Sequence, residues 1–208
     1  LQIFNSGVVA AAGNVVTFAT SGSTYSTIGT RTSAGRYKFD IFNFNNTEKL
    51  IMVDDVNQAA TYDGTTYSLI NTTGAPADPA SVAVFQNHVF FAGMSSNPQE
   101  LVFSSPLGET DFSAANGAGS LSVPTSIVAL KVFREILYVF GQDKIFKVSG
   151  DNISNFRVDS VTQTLGCADG FSVQELGGDL LFLSLDGLRT IAGTARIGDV
   201  ELGTISKT

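Results

Sequence analysis

Short apolar runs alternate with polar or glycine-containing breaks along most of the chain. The clearest case lies between residues 127 and 161, which read IVALKVF, RE, ILYVF, GQD, KIFKVS, GDNIS and NFRVDSV. Runs of this length, rich in β-branched and aromatic residues and separated by two to five polar or glycine residues, are typical of strands joined by tight turns. We therefore predict four consecutive antiparallel strands over 127–161.

The four runs of this unit differ in how apolar they are. The second run, ILYVF at 136–140, is apolar on both faces, so we expect Leu137 and Val139 to be buried. The third run, KIFKVS at 144–149, carries polar side chains on both faces and should be wetter. Four antiparallel strands in about 35 residues, buried in the middle and wetter outward, are typical of a propeller blade.

The chain repeats this rhythm. SGSTYSTI at 21–28 and DGTTYSLI at 63–70 share five of eight residues at an offset of 42. The most apolar runs, LIMV, VFFA, LYVF and LLFL, begin at residues 50, 89, 137 and 180, which are 39, 48 and 43 residues apart. Blades of WD40-like propellers repeat every 40–45 residues or so, which matches this spacing.

We therefore predict an all-β fold, a β-propeller-like array of about five four-stranded antiparallel blades. The blade-like units are 1–28, 36–70, 80–115, 127–161 and 171–206. The sequence does not decide whether they form a single propeller or a portion of an incomplete ring. Asp63-Gly64 and Asp186-Gly187 are predicted two-residue hairpin turns, with glycine at positive φ.

Two segments are harder to interpret. In the third unit, TDFSAA at 110–115 fits either a fourth strand or one helical turn, and NGAGS at 116–120 has the composition of a flexible linker. In the fifth unit, ELGTIS at 201–206 fits either a fourth strand or the start of another element.

Composition and charge narrow the function. Charged residues make up 15% of the 208 residues, below the roughly 25% of an average soluble protein. The formal net charge of −7 argues against a sequence-reading nucleic-acid binder, which normally carries a basic stripe. No apolar run reaches the ~18 residues of a membrane helix, so we expect no membrane insertion.

Few residues suggest chemistry. Asp54-Asp55 with Asn57 offers oxygen ligands for a cation, but a polar turn explains it better, because the spacing of a calcium loop is missing. His88 is the only histidine and Cys167 the only cysteine, so a zinc site, a catalytic triad or a disulfide has little support. Gly117, Gly119, Gly177 and Gly178 do not fit a phosphate-binding loop.

Asp54, Asp143 and Asp179 occupy what look like comparable turns between strands, as a pair of glycosidase carboxylates would require. Aspartate is also a common turn former, which is the simpler explanation. We therefore expect no catalytic, cofactor-binding or metal-binding residues, no cofactor and no enzymatic activity.

Three segments resemble a known family. SSPLGETDFS (104–113), LKVFREILYVFGQDKIFKVSG (130–150) and QELGGDLLFLSLDGLRTIAGTARIGDVELGTIS (174–206) look like the β-propeller region of tail nozzle proteins of short-tailed phages, also called tail tubular protein B, and of the related tail stabilisation proteins. Residues 80–206 carry the resemblance, whereas the first 79 share only the repeat rhythm. The family supplies no active-site residues.

The resemblance implies a structural protein of the virion tail. It would form a ring, expected to be a hexamer, between the adaptor on the portal side and the tail-tip proteins, and would conduct and retain double-stranded DNA without reading it. An alternative is a propeller that binds or hydrolyses host surface glycans. A third, weaker alternative is a cellular repeat protein that serves as an interaction scaffold.

Overall fold

Five antiparallel sheets follow one another along the chain in a computed structural model that describes residues 1–20, 24–33 and 35–192. In every sheet the strands are arranged in sequence order. The first sheet comprises β1 (Gln2–Phe4), β2 (Gly7–Ala12), β3 (Val15–Ala19) and β4 (Ser26–Thr30). The second comprises β5 (Lys38–Phe44), β6 (Thr47–Val53), β7 (Ala60–Tyr62) and β8 (Tyr67–Leu69).

The third sheet comprises β9 (Ser81–Phe85), β10 (His88–Ala92), β11 (Glu100–Phe103) and β12 (Gly119–Ser122). The fourth comprises β13 (Ile127–Phe133), β14 (Ile136–Gly141), β15 (Ile145–Ser149) and β16 (Arg157–Thr162). The fifth comprises β17 (Gln174–Leu176), β18 (Asp179–Ser184) and β19 (Gly187–Thr190). The all-β, propeller-like prediction is confirmed.

The fourth sheet matches the sequence-based prediction over 127–161. Its four strands pair antiparallel in sequence order, and Leu137 and Val139 are fully buried. The segment predicted to be most apolar is β14, which is flanked by a strand on each side and covered on both faces. Burial of both faces explains its continuous apolar sequence.

Successive sheets pack face to face around four apolar clusters. The clusters lie between the first and second, second and third, third and fourth, and fourth and fifth sheets. In β6, Leu50 and Met52 enter the first of these clusters, whereas Ile51 and Val53 enter the second. Side chains of a strand alternate between its two faces, so the second strands of the three inner sheets, β6, β10 and β14, each contribute to two cores.

The sheets do not form a closed ring within the described residues. None of the four clusters joins the fifth sheet to the first. The outward faces of these two end sheets carry exposed apolar side chains, with Ile3 74% and Leu176 66% exposed. The predicted strand at 201–206 lies outside the described residues.

The turn between the first and second strands is built alike in all five sheets. It has two residues, both at positive φ, as the hairpin turn that matches strand twist requires. The turns are Asn5-Ser6, Asn45-Asn46, Gln86-Asn87, Arg134-Glu135 and Gly177-Gly178.

The two Asp-Gly turns join paired strands and place glycine at positive φ, as predicted, but their lengths and positions differ. Residues 63–66 form a four-residue connection, because the Asp63 carboxylate accepts hydrogen bonds from the N–H groups of Thr65 and Thr66. In the fifth sheet, residues 185 and 186 form the turn, and Gly187 begins β19 with a φ of 126°.

The third sheet decides between two alternatives and corrects one expectation. Residues 110–115 do not form its fourth strand; their end takes the helical alternative, in a short 3-10 helix over Ala114–Asn116. The fourth strand is instead Gly119–Ser122, which begins within the segment predicted to be a linker, 116–120, and extends two residues beyond it. A Cβ on Gly119 would lie 3.0 Å from the Phe103 ring and 3.1 Å from Ile153, so glycine serves close packing here rather than flexibility.

Candidate functional site

The first strands of the five sheets converge on one cavity, which marks the propeller axis, and side chains join these strands there. Lys38 begins β5, and its Nζ donates a hydrogen bond of 2.9 Å to the carbonyl oxygen of Val128 in β13. This contact links the second sheet to the fourth. Burial lowers the pKa of Lys38 to about 8, an effect that the negative charge of the nearby Asp169 opposes.

Two further side chains fix neighbouring first strands. The Asp40 carboxylate of β5 accepts a hydrogen bond of 2.6 Å from the Val84 N–H in β9. The Ser81 hydroxyl of β9 accepts one of 2.9 Å from the Leu130 N–H in β13. Burial raises the pKa of Asp40, while hydrogen bonds from the N–H groups of Val84 and Ile41 favour its charged form. Polar side chains therefore connect the first strands of the second, third and fourth sheets along the axis.

A cavity of about 760 Å³ opens at one end of the axis. Its walls come from segments that enter the first strands and from loops that follow the second strands. Arg36 stacks on Phe171, with its Cζ 3.5 Å from the ring centroid, and its Nη1 lies 3.4 Å from Asp169 Oδ2. Lys38 Nζ lies 5.0 Å from the same ring. This mouth thus combines cationic, acidic and aromatic groups.

Cys167 lies beside this mouth but is buried. Its thiol donates a hydrogen bond of 3.2 Å to the Asp169 carbonyl and lies 3.7 Å from the Ser172 hydroxyl. Burial raises the pKa of the thiol, which disfavours the nucleophilic thiolate. The residue packs in the core between the fourth and fifth sheets, where it acts as a small apolar side chain.

His88 lies in a different part of the molecule, at the start of β10. It is 2% exposed, and its Nδ1 lies 2.6 Å from the Ser104 carbonyl oxygen. Its ring contacts three phenylalanines, and two of them, Phe103 and Phe156, have centroids 5.5 and 5.3 Å away. His88 packs between the third and fourth sheets, whereas Cys167 packs between the fourth and fifth. The two side chains therefore do not form a catalytic Cys–His pair.

Asp54 is a structural carboxylate. It is 1% exposed and accepts hydrogen bonds from the N–H groups of Val56 and Asn57, which shape the loop after β6. Arg31 Nε lies 3.2 Å from its Oδ2, and both side chains are buried. The Asp54-Asp55-Asn57 segment is thus a polar turn that receives a buried arginine. The described residues contain no group of three potential metal ligands.

The three candidate glycosidase carboxylates do not occupy comparable positions, contrary to expectation. Asp54 and Asp143 follow second strands, whereas Asp179 begins one. The two kinds of position lie at opposite ends of a sheet, and a six-residue strand such as β18 spans roughly 20 Å. Paired carboxylates in glycosidases lie roughly 5–10 Å apart. Asp179 therefore cannot pair with either of the other two.

The singled-out glycines also serve the fold. Gly117 follows the short 3-10 helix with a φ of 94°, and Gly177 and Gly178 form the hairpin turn of the fifth sheet. None of the three begins a helix that could bind phosphate through its N-terminus. Together with Gly119 in β12, they occupy turns and close contacts.

The sequence analysis did not identify the polar residues at the axis or the buried ion pair. The axis residues could have been noticed, because Lys38 and Asp40 are charged positions in a strand whose neighbouring residues are aromatic or aliphatic. Their hydrogen bonds explain why charged groups stand on an inner strand. Arg31 gave no signal, because its partner Asp54 lies 23 residues away, on the next sheet.

The comparisons with known proteins concern the fold alone. No family model matches the chain, and no curated protein matches it. Among solved structures it is similar to Chaetomium thermophilum Raptor (TM-score 0.56, 11% identity, 97% of this chain and 20% of that one). It is also similar to a chain of a nidogen/laminin complex, with a TM-score of 0.54 and 13% identity over 91% of this chain and 72% of that one. A third similar structure is a quinonprotein alcohol dehydrogenase-like protein from Bacteroides thetaiotaomicron, with a TM-score of 0.54 and 9% identity over 99% of this chain and 56% of that one.

The chain thus spans about a fifth of Raptor and somewhat more than half of the quinonprotein-like chain. At identities of 9–13%, these similarities support an architecture but no shared activity. The five face-to-face antiparallel sheets and the propeller-like neighbours lead to one conclusion: the chain is an all-β protein of β-propeller-like architecture.

Proposed function

We propose that the chain is a structural protein of a phage virion, the propeller region of a tail nozzle. The observation that carries the proposal is the resemblance of residues 174–206, with 104–113 and 130–150, to nozzle and tail stabilisation proteins. The propeller-like fold agrees with that resemblance but is shared with many unrelated proteins.

The polar groups of the described residues support a non-enzymatic role. Asp54, Asp40 and Lys38 each bind backbone groups or a buried partner. His88 and Cys167 are buried in separate cores. A catalytic centre needs acid, base or nucleophile around one reacting atom, and these groups do not converge.

The two end sheets support a role in an assembly. Leu176 and Leu183 lie on the face of the fifth sheet that points away from the fourth, and they are 66% and 42% exposed. Ile3 lies on the corresponding free face of the first sheet. Apolar sheet faces are normally covered by another layer. We propose that contacts in a ring of copies, and with the adaptor and tail-tip proteins, cover such surfaces.

The charge of the chain suits contact with moving DNA. A formal net charge of −7 repels phosphate, and few lysines and arginines are available to bind it. A duplex passing an acidic wall would therefore slide rather than adhere. We propose non-specific passage of double-stranded DNA through the assembled ring, not through an individual propeller.

The proposal is tested by purifying virions and locating the protein in them by mass spectrometry and electron microscopy. The chain should be present in several copies per tail. Leu176→Asp combined with Leu183→Asp should give particles that lack tails or lose DNA, because a charge on this face prevents apolar packing. Ser68→Asp places one carboxylate on an exposed residue of β8 and serves as a control for each single substitution, Leu176→Asp and Leu183→Asp, which are also measured separately.

Absence of the protein from virions would overturn the proposal. So would a folded double variant that assembles normal, DNA-retaining tails, since the proposed contact would then be dispensable. The stability of each purified variant must be measured alongside, so that a folding defect is not mistaken for an assembly defect.

A glycan-binding propeller is the second candidate, and the mouth of the axis favours it. Phe171, Asp169 and Arg36 supply an aromatic ring, an acceptor and a donor, which are the groups that bind sugars. Glycan arrays and a hydrolysis assay on purified protein distinguish the candidates. Binding abolished by Phe171→Ala, or hydrolysis abolished by Asp143→Asn in a folded protein, would favour this alternative.

A further inference from the structure

The interface between the first and second sheets encloses an ion pair. Arg31, which follows β4, and Asp54, which follows β6, have side chains that are 1% and 0% exposed, with Arg31 Nε 3.2 Å from Asp54 Oδ2. A second guanidinium nitrogen, Arg31 Nη2, donates to the carbonyl oxygen of Gln58. One side of the guanidinium is thereby fixed to the second sheet.

Three other polar atoms here are buried and have no well-aligned hydrogen-bond partner within the described residues. They are Arg31 Nη1 and the hydroxyl oxygens of Tyr37 and Tyr67. Arg31 Nε, although close to Asp54, is not aligned for a hydrogen bond either. Buried polar groups in folded proteins nearly always have a partner, so several orphans in one place require an explanation.

The orphan atoms belong to one cluster. Arg31 Cζ lies 5.6 Å from the centroid of the Tyr37 ring. The Tyr67 ring covers Gly29, two residues before Arg31, and a Cβ on Gly29 would lie only 2.6 Å from Tyr67 Cε1. Both tyrosines pack against the apolar cluster between the first and second sheets. Burial raises the pKa of both phenols, the charge of Asp54 raises it further, and the charge of Arg31 lowers it. The Tyr37 hydroxyl also lies close enough to the Asp54 carboxylate for this contact to raise its pKa.

Charge decides which partner fits. Arg31 and Asp54 neutralise each other, so a bound anion would leave a net negative charge among buried groups, and a cation would lie beside the guanidinium. Arg31 Nη1 needs an acceptor, whereas each phenol can donate and accept. A small neutral group that both donates and accepts meets these demands.

We propose that a buried water molecule is bound between Arg31 Nη1 and the hydroxyls of Tyr37 and Tyr67, as an integral part of the interface between the first two sheets. It accepts a hydrogen bond from the guanidinium and exchanges hydrogen bonds with the two phenols. Waters of this kind typically make about three hydrogen bonds to otherwise unsatisfied groups. The proposal does not depend on the phage function.

The sign of a stability change tests it. If water satisfies the phenols, Tyr37→Phe and Tyr67→Phe should each raise the unfolding equilibrium constant, on the order of fivefold, as loss of a net-favourable hydrogen bond does. If the hydroxyls are unsatisfied, the same variants should be more stable than the wild type, because a desolvated polar group has been removed. A stabilised single variant would therefore overturn the proposal.

The double variant tests whether one water serves both rings. Tyr37→Phe with Tyr67→Phe should raise the unfolding constant less than the product of the single effects, because the first substitution already weakens the shared water. Tyr62→Phe is the matched control: this buried tyrosine donates directly to the Gly64 carbonyl at 2.8 Å. The Tyr62→Phe and Tyr37→Phe double variant should change the unfolding equilibrium constant by the product of the two single effects.

A high-resolution crystal structure provides the direct measurement. Electron density for one water within hydrogen-bond distance of Arg31 Nη1 and both phenol oxygens is expected. Absence of density there would overturn the proposal. Crystals grown in sodium bromide would do the same if they showed an anomalous peak at this position, because an anion rather than water would then be the bound group.

Discussion

The guanidinium of Arg134 donates a hydrogen bond of 2.7 Å to the carbonyl oxygen of Gly178, so the hairpin turn of the fourth sheet holds the hairpin turn of the fifth. The same device recurs elsewhere. Asn5 donates from the first turn to Asp63 of the second sheet at 3.2 Å, and Asn45 from the second turn to a carbonyl near the third sheet at 3.3 Å. In each case the first residue of the two-residue turn contacts the next sheet. These turn residues therefore serve contacts between sheets as well as local backbone geometry.

Gly64 lies against one of these contacts, and replacing it should show the effect. Its φ is 98°, and a Cβ would lie 2.5 Å from Asn5 Nδ2. We expect Gly64→Ala to lower the free energy of unfolding by roughly 1–3 kcal/mol, because the backbone is strained and the Asn5 contact is displaced. Chemical denaturation measures it.

Gly13 provides the matched control for Gly64. It also has a positive φ, 59°, but nothing lies within 4 Å of the position of its Cβ. Gly13→Ala should therefore show backbone strain alone, about 1 kcal/mol. Equal losses for the two variants would show that the contact with Asn5 contributes nothing.

Phe182 should be a core residue of the last described interface. It is fully buried, and its ring centroid lies 5.4 Å from that of Phe140 in the fourth sheet. Phe182→Ala should reduce the free energy of unfolding by ~3–5 kcal/mol, because it removes a large buried side chain. Leu183→Ala, on the opposite face and 42% exposed, should change the isolated chain much less. A small loss at Phe182 would contradict the packing of the fifth sheet.

The Arg31–Asp54 pair should be needed for stability. Asp54→Asn leaves a buried arginine without its counter-charge, so we expect a loss of roughly 3–5 kcal/mol in the free energy of unfolding. Asp143→Asn, at an exposed turn where the carboxylate accepts a hydrogen bond from Thr125, should have little effect. Urea titrations of both variants provide the comparison. Equal stability of the two proteins would contradict a structural role for Asp54.

Lys38 should give the stability a distinctive dependence on pH. Its pKa is about 8 in the folded chain against 10.5 in the unfolded one, because burial disfavours the ammonium. Between these values the unfolded chain binds more protons, so the folded state gains stability as the pH rises. The gain is at most about 1.4 kcal/mol per pH unit.

Lys38→Met should remove this dependence. Loss of the hydrogen bond to Val128 lowers the free energy of unfolding by the same amount at every pH. Loss of the titrating amine removes the Lys38 contribution to the rise of that free energy between pH 8 and 9.5. Denaturation of both proteins at several pH values in that range separates the two effects. Parallel curves would contradict the lowered pKa of Lys38. Cys167, whose pKa burial raises above its ordinary value of 9.0, contributes a slope of opposite sign to both proteins, so the difference between the two curves reports on Lys38. Tyr37 titrates at about 12 and is outside this window.

The sequence predicts those parts of the fold in which the pattern of apolar and polar residues matches the burial of the strands. The block at 127–161 combines uninterrupted β-branched and aromatic runs with short polar turns, and its four strands are found as expected. The fourth strand of the third sheet, Gly119–Ser122, has no such pattern. It pairs with β11 through backbone hydrogen bonds, and its glycine is selected by the neighbouring Phe103 ring.

The backbone geometry of two turns and the ion pair were not predicted, for a related reason. Gln86-Asn87 and Arg134-Glu135 adopt positive φ without glycine, because the paired strands on either side impose that geometry. The partnership of Arg31 with Asp54 depends on how two sheets meet, which local sequence does not encode. Both are properties of tertiary packing, whereas periodicity reports only which face is apolar.

The contact between Lys38 and Val128 limits what can pass through the molecule. One lysine side chain bridges the first strands of the second and fourth sheets, so the axis is far narrower than a DNA duplex. In a tail built from this chain, the DNA channel would have to lie between neighbouring copies, with each propeller forming one segment of the channel wall. Substitutions that widen the propeller axis would then leave the diameter of the channel unchanged, whereas substitutions in the contacts between copies would change it.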